Sequence, residues 1–393
     1  MSVSSDPSER LARLALYLGL NHNPAGWHRV VGYAGSAAAA FSGFDPGRAG
    51  INFPGLLNPG LLEEAAALFE AAEKSGRELL VWGDPGYPAR LEEIPDPPPV
   101  LWVKGLLEEG DKFAVGLVGS RQASRAGLDA ARNLGREGAA RGLTIISGLA
   151  LGVDAEAHWG ALEAGGRTLA VLGCGLDWVY PRENAPLYER IPQAGALISE
   201  LPPSAPPRPG NFPRRNRVLA GLSLAVVVVE AGPRSGALIT ARLGLELNRE
   251  VMALPGPAGA GHAQGSNRLI KSGAALVESM DEVLAEIRPR LLEGLADRRP
   301  TAEAPEGPIP AKPAAEAPSA APPVAAPAPT APPLEGPEAR VWALLAEGPR
   351  DADTLGRAAG LSAAETSVLL LNLELAGRIV KSPAGLFAQN RGK

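Results

Sequence analysis

FAVGLVGSRQASRAGLDAARNLGREGAARGLTIISG (113–148) decides the fold of this chain. It opens on a short apolar run, FAVGLVGS (113–120), passes through a helical pattern at 125–141 and closes on a second apolar run, LTIISG (143–148). The alternation continues with RTLAVLG (167–173), GALISE (195–200), LAVVVVEA (224–231) and VMALPG (251–256). Helical patterns at 154–164, 186–192, 214–222 and 236–249 separate them. Runs that are apolar throughout read as strands buried on both faces. Strand and helix in turn at this spacing build right-handed βαβ units, hence an α/β, doubly wound, Rossmann-like core.

Working outward, residues 1–80 read as a small helical N-terminal domain, with Ala-rich stretches between Gly/Pro breaks, and 81–289 as the core. Residues 290–334 read as a Pro/Ala-rich linker. Of the 34 residues Pro300 to Pro333, twelve are proline and twelve alanine, with no aromatic residue. Such a stretch cannot bury enough apolar area to offset its ordering entropy, and its prolines favour an extended tether. Residues 335–393 form a further small domain: helical patterns near 337–346, 351–359 and 362–376 precede a hairpin pattern, RIVKSPAGLFAQ (378–389), with a Pro-Ala-Gly turn. Three helices and a hairpin make a winged-helix pattern.

The 393 residues are 45% hydrophobic and 21% charged, a globular composition. Apolar runs such as Leu224 to Val229 fall far short of the roughly 20 residues that cross a bilayer. Met1 to Arg10 lacks a basic start and an apolar stretch, so no signal peptide is expected and the expected location is cytoplasmic. One cysteine, Cys174, excludes an internal disulfide and a multi-cysteine zinc site. Net charge is −5, unevenly spread: residues 61–111 hold twelve Asp/Glu against four Lys/Arg, and 201–273 hold nine Lys/Arg against three Glu. A basic segment in an acidic chain is a candidate polyanion footprint, or a helical face whose arginines are simply solvated.

In an open parallel sheet, ligands bind beyond the carboxyl ends of the strands. There Gly119-Ser120-Arg121 follows the first strand. Glycine permits close approach, free N–H groups and a helix start favour an anion, and Arg121 offers a planar fork for phosphate. Small donor-rich turns recur at Ser147-Gly148, Gly173-Cys174-Gly175, Ser235-Gly236 and Gly265-Ser266-Asn267, the last ahead of a short helix. Phe212-Pro213-Arg214-Arg215-Asn216-Arg217 places three arginines and an aromatic ring at a helix start. Cations oppose the dipole there, which argues for an anionic partner; Phe212 can stack on an unpaired base. Asp154 and His158 lie one helical turn apart, Asp154 reading as a helix N-cap, and the pair lacks a third zinc ligand. Glu200 and Glu230 end strands and leave a carboxylate pair open. Cys174 reads as a small packed thiol.

These motifs resemble the bacterial DNA-processing protein A family (DprA, also called Smf). The likeness runs over about 82–287: Tyr87-Pro88, Asp96-Pro97-Pro98-Pro99-Val100-Leu101-Trp102, Val118-Gly119-Ser120-Arg121, SGLALGVDAEAHWGAL (147–162), GGRTLAVLGCGLDWVYPREN (165–184), ISELPP (198–203), FPRRNRVLAGLS (212–223), SGALITA (235–241), LPGP (254–257) and GSNRLIKSGA (265–274). The resemblance implies a core that binds single-stranded DNA without a catalytic step, loads the recombinase RecA onto it, and dimerises through the core. Carried over by position, the DNA contacts are Gly119, Ser120, Arg121, Phe212, Arg215, Asn216 and Arg217, with Gly148, Ser235 and Gly236 as weaker transfers. It also implies a helical N-terminal domain like a sterile-alpha-motif or helix–hairpin–helix fold, and a C-terminal winged helix.

The reading is therefore a cytoplasmic, non-enzymatic mediator that protects incoming single strands and loads RecA in natural transformation, a homodimer without membrane contact. No cofactor, metal or catalytic residue is expected. One rival is a Rossmann-type nucleotide-processing enzyme using Glu200, Glu230 or Asp154/His158. The other is a duplex-DNA regulator acting through the winged helix. Against the latter, residues 335–393 are neutral and their third helix, LSAAETSVLLLNLELAG, carries no Lys or Arg.

Overall fold

The computed structural model describes residues 6–43, 45, 47, 50, 57–296, 336–346, 348–363, 365, 366, 369, 370, 373, 378–382 and 386–389. The Pro/Ala-rich stretch Pro300 to Pro333 and the Pro-Ala-Gly turn lie outside the described residues. The chain divides into two compact units, the boundary falling between Leu291 and Leu292.

The first unit opens with four helices, α1 (Pro7–Gly19), α2 (Pro24–Ala34), α3 (Ala37–Phe41) and α4 (Gly60–Lys74). Asp6 caps α1 by accepting the Ser8 N–H, and Asn23 and Ser36 cap α2 and α3 in the same manner. Then follow β1 (Glu78–Val81), α5 (Ala89–Glu92), β2 (Val100–Gly105), β3 (Ala114–Val118), α6 (Arg125–Ala140), β4 (Thr144–Ser147), α7 (Val153–Glu163), β5 (Thr168–Val171), α8 (Ala185–Ala194), β6 (Gly195–Ser199), α9 (Asn211–Leu222), β7 (Ala225–Val228), α10 (Ala237–Glu246), β8 (Glu250–Ala253), α11 (Gln264–Lys271), β9 (Ala275–Leu276) and α12 (Met280–Ala296). The nine strands form one sheet in the order β1-β2-β6-β5-β4-β3-β7-β8-β9. Pairings from β6 to β9 are parallel, for example Val115↔Ala225 and Ile146↔Leu169; β1–β2 and β2–β6 are antiparallel.

The six apolar runs are the strands β3 to β8, and the helical patterns between them are α6 to α10. Every residue of β3 to β7 is buried, as strands covered on both faces must be. Successive side chains alternate between two apolar layers. Ala170 and Leu197 join a cluster with Tyr17, Trp27, Trp102 and Leu187, so α1, α2 and α8 share that layer. Leu169, Val171, Ala196 and Ile198 join the other with Val218, Leu219 and Ala241 of α9 and α10. Each such Leu, Ile or Val contributes roughly 1.5–3 kcal/mol by burial. Helices α6 and α7 meet backbone to backbone: a Cβ on Gly160 would lie 2.0 Å from the Arg132 carbonyl oxygen, so only glycine fits.

Strands β1, β2 and β9 extend the expected sheet at its two edges. The first two form an antiparallel pair on either side of the prolines at 95 and 97–99, and β9 has only two residues.

In the second unit, α13 (Gly336–Ala346) and α14 (Ala352–Ala359) precede the antiparallel pair β10 (Ile379–Lys381) and β11 (Phe387–Gln389). Residues 363, 365, 366, 369, 370 and 373 between them are helical. Val341, Leu345, Leu355, Leu369, Leu370, Leu373, Ile379 and Phe387 make this unit's own core. Three helical stretches closed by a two-stranded wing match the winged-helix pattern.

Candidate nucleic-acid interface

Strands β3 and β7 are neighbours, yet the chain leaves β3 toward β4 and leaves β7 toward β8 on the opposite side. That makes the gap beyond their carboxyl ends the topological switch point, where open α/β sheets place ligands. Gly119 sits there because a Cβ would come within 2.5 Å of Val153 Cγ2 and 2.9 Å of the Glu230 carbonyl oxygen. The Ser120 N–H donates to that carbonyl at 2.7 Å, and Gln122 N–H donates to Ser120 Oγ at 3.1 Å. Ser124 N–H donates to Glu230 Oε1 at 2.9 Å, and Gly127 N–H to Ser124 Oγ at 3.1 Å. The turn expected to offer free N–H groups has therefore given four of those between 120 and 127 to protein oxygens.

Arg121 is exposed, with its guanidinium carbon 5.6 Å from the centroid of the Phe212 ring. Phe212, half-buried at the start of α9, lies 5.4 Å from the Tyr180 ring at an interplanar angle of 42°. Gly173 seats it: a Cβ there would be 2.7 Å from Phe212 Cδ1. Tyr180 is 41% exposed and nearby Trp178 43%, its indole N–H donating to Ser204 O at 2.9 Å. Guanidinium, phenyl and phenol thus lie together as one cluster beyond the strand ends.

The three arginines of α9 are held by protein partners. Arg215 is 6% exposed and donates through Nη1 to Gly148 O at 2.8 Å and to Val171 O, stitching the ends of β4 and β5 together. Burial pushes its pKa down to about 10, opposed by the Asp154 carboxylate, so it stays charged at neutral pH. Its Nε donates to Asn216 Oδ1 at 3.2 Å. Arg217 pairs with Asp96 at 3.2 Å and with buried Glu200, and donates to Asp96 O at 2.8 Å. Arg214 pairs with Glu200 at 3.1 Å and donates to the Tyr17 hydroxyl at 3.1 Å and to His22 O. Gly148 is buried under Arg215, a Cβ there meeting the guanidinium at 2.4 Å. Ser235 and Gly236 open α10 on the same edge, Ser235 Oγ accepting the Ala237 N–H at 3.3 Å.

The residues of the enzymatic alternative are occupied. Asp154 lies inside α7, whose N-cap is Gly152, and its carboxylate accepts N–H bonds from Gly148 at 3.1 Å and Ala150 at 3.4 Å, which corrects the N-cap expectation. Burial raises its pKa. His158 is fully buried, its Nδ1 2.7 Å from Thr168 Oγ1. Because that hydroxyl donates to Ile145 O at 2.7 Å, Nδ1 carries the proton; burial, and then Arg215, push the imidazole down to about 3. Burial pushes the Cys174 thiol up to about 11. Gly265, Ser266 and Asn267 lie inside α11, where the sequence pattern placed them ahead of it; Ser266 Oγ accepts the Ala231 N–H at 2.9 Å.

Which cations remain available separates the two edges of the sheet. At the amino edge Lys112, Arg141, Arg167 and Arg249 each have a carboxylate partner, at 3.2, 2.7, 2.7 and 3.2 Å. On the carboxyl side Arg121, Arg182, Arg208, Arg234 and Arg268 are exposed and form no ion pair among the described residues. They follow β3, β5, β6, β7 and β8 in turn. Of the acidic side chains in the loops at 172–184, 200–210 and 229–236, Asp177 is paired with Arg77 at 2.6 Å, Glu200 and Glu230 are hydrogen-bonded, and Glu183 alone stands unpaired among the described residues. Sequence reading had counted Arg208 and Arg234 only as charge and passed over Arg182, Trp178 and Tyr180. Their signal was position: each stands in the stretch between a strand end and the helix that follows it.

Among the described residues no helix is long and apolar enough to cross a membrane, and no three His, Cys, Asp or Glu side chains cluster to hold a metal ion.

A sequence profile described as DNA recombination-mediator protein A matches residues 78–288, and one described as the DprA winged helix domain matches 325–385. The chain is 38% identical to Protein Smf of Synechocystis over 328 residues, covering 82% of each. It is 43% identical to DNA processing protein DprA of Streptococcus pneumoniae over 203 residues, 52% of this chain and 72% of that one. The X-ray structure of the Streptococcus pneumoniae DprA superposes with a TM-score of 0.60 at 32% identity, covering 70% of this chain and 97% of that one. With the fold, the glycine-lined switch point and these matches in agreement, the chain belongs to the DNA recombination-mediator protein A family, DprA/Smf.

Proposed function

We propose that the carboxyl edge of the sheet binds single-stranded DNA, and that the protein holds strands for RecA assembly and protects incoming DNA in natural transformation, acting as a homodimer and without a catalytic step of its own. The observation that carries the strand reading is the contrast between edges. Arginines at the amino edge are neutralised by carboxylates, whereas Arg121, Arg182, Arg208 and Arg234 on the opposite edge keep their charge for phosphates. Beside them Tyr180 and Phe212 offer faces on which unpaired bases stack, which favours single strands over duplex. Gly119, Ser120 and Gly148 shape the turns, and Arg215, Asn216 and Arg217 hold α9 in place behind the contact surface. Ser235 and Gly236 add polar rim beside Arg234. The family supports RecA as the partner and the dimer as the assembly, and the domain division into 1–80, 81–289, 290–334 and 335–393 is part of the same proposal.

The test is fluorescence anisotropy of labelled oligo-dT over a salt series. For single strands the log–log slope is about −0.7 per phosphate neutralised. Arg121→Ala and Arg234→Ala each make the slope shallower by about one such unit and leave the melting temperature unchanged. Arg215→Ala lowers the melting temperature instead, because it strands two buried carbonyls at roughly 1–3 kcal/mol each. Arg141→Ala, on the amino edge, leaves the slope alone. Slopes untouched by the carboxyl-edge variants, or moved by Arg141→Ala, would remove the strand from this edge. Shortening of the RecA nucleation lag on single strands, lost with Arg121→Ala, and the mass by light scattering test the partner and the dimer.

A further inference from the structure

The geometry points to Glu230 as a built-in anion that closes the switch-point crevice to free nucleotides and so reserves the carboxyl edge for a strand. The inference rests on the strand reading above and adds the specificity of the same surface. In a Rossmann-like sheet the helix that starts at the switch point is where a nucleotide's phosphate is received, because N–H groups and the helix dipole meet there. Here that helix is α6, sixteen residues beginning at Arg125 behind the Ser124 cap.

The place is already filled. Glu230, two residues past the strand-end Val228 and 6% exposed, reaches across from the neighbouring strand. Its Oε1 accepts the Ser124 N–H at 2.9 Å and its Oε2 accepts the Ser124 hydroxyl. The first turn of α6 is pressed onto it: a Cβ at Gly127 would lie 2.7 Å from Glu230 Oε2. The main chain of the same residue takes the Ser120 N–H at 2.7 Å. His262 Nε2 stands 3.9 Å from Glu230 Oε2.

A carboxylate so placed satisfies the same donors and the same dipole that a phosphate would use. A phosphate entering beside it would meet a like charge on a side chain that is itself only 6% exposed, which specificity by exclusion requires. A strand does not face that barrier, since its phosphates engage arginines on the exposed rim, Arg121 and Arg234, flanking the crevice in sequence on either side. Free nucleotides carry the same phosphate and base chemistry as a strand, and they are therefore the competitor the surface has to refuse.

Isothermal titration of the full-length protein with ADP, without DNA, tests this. Wild type gives no saturable heat at millimolar ADP, whereas Glu230→Ala binds it at least about tenfold more tightly. Melting curves and oligo-dT affinity establish that the variant is folded. A folded Glu230→Ala that takes up ADP no better than wild type overturns the inference, and so does micromolar ADP binding by wild type. If Glu230→Ala does not fold, Glu230→Gln, of the same shape without the charge, carries the test: a gain of about threefold or more supports it and no gain overturns it. The readout needs no DNA, so failure of the strand reading shows separately, as loss of the salt-dependent oligo-dT binding.

Discussion

At the residue scale, the arginines of FPRRNR divide by what they touch, and the division was not legible in the chain. Charge and position put Arg215 and Arg217 beside Phe212 as phosphate ligands. Folding places their guanidiniums on Gly148 O, Val171 O, Asp96 and Glu200, because burying a cation requires partners for its fixed fork of donors. Whether an arginine of this helix faces water or a strand end is decided by chain segments far away in sequence, which no local pattern records. Arg121, by contrast, is exposed in the turn after β3 that the sequence pattern marks. His158 shows the same burial rule in a titrating group. Its folded pKa of about 3 lies below the ordinary value of 6.5, so between those values the unfolded chain binds a proton that the folded one does not. Stability is then fully present above about pH 6.5 and falls as the pH drops, by up to about 1.4 kcal/mol per pH unit for this group. His22, held at about 4 by burial and then by Arg214, adds in the same direction over a narrower window. Melting temperatures of wild type and His158→Gln measured from pH 7.5 to 4.5 should converge toward acid; parallel curves would show that His158 titrates normally.

At the element scale, periodicity was sufficient for β3 to β8 and α6 to α10, because long apolar runs and helical spacing are local properties. It failed at β1 and β2, which flank a proline-broken stretch outside the strand–helix alternation, and at the two-residue β9; they join the sheet by pairing toward its edges, as Leu80↔Leu101 and Met252↔Ala275 do. The base platform is also a product of elements, not of a motif: Phe212 comes from α9, Tyr180 from the turn after β5 and Arg121 from the turn after β3. Sequence reading found the first and last and missed Tyr180. If the three act as one stack, Phe212→Ala and Tyr180→Ala should each weaken oligo-dT binding by an amount that reflects base stacking, about 1–3 kcal/mol, or roughly 5- to 150-fold. The salt slope should hardly change, since no phosphate contact is removed. Combining the two changes should cost less than the sum of the single losses, because each ring supports the other. Strict additivity in this double-mutant cycle would separate Tyr180 from the platform.

At the scale of the whole molecule, composition marks the stretch Pro300 to Pro333, which lies outside the described residues, and the chain divides into two compact units at Leu291. Each unit has a core of its own: residues before the break bury Tyr17, Trp102 and Val226, and those beyond it bury Val341, Leu355 and Phe387. Arg121, Arg182, Arg208, Arg234 and the aromatic platform belong to the first unit, while the basic and acidic residues of 335–393 cancel. Binding energy for a strand should therefore reside in the first unit. Removing residues 290–393 should leave oligo-dT affinity within about threefold of the full chain and keep the slope of log affinity against log salt, because no neutralised phosphate is lost with the tail. The second unit by itself should bind neither oligo-dT nor duplex measurably at physiological salt, having no net positive charge to release counterions. A loss of about tenfold or more on truncation, accompanied by a shallower slope, would move phosphate contacts into residues 290–393. A loss with the slope unchanged would mean instead that the tail stabilises the bound state without touching phosphates.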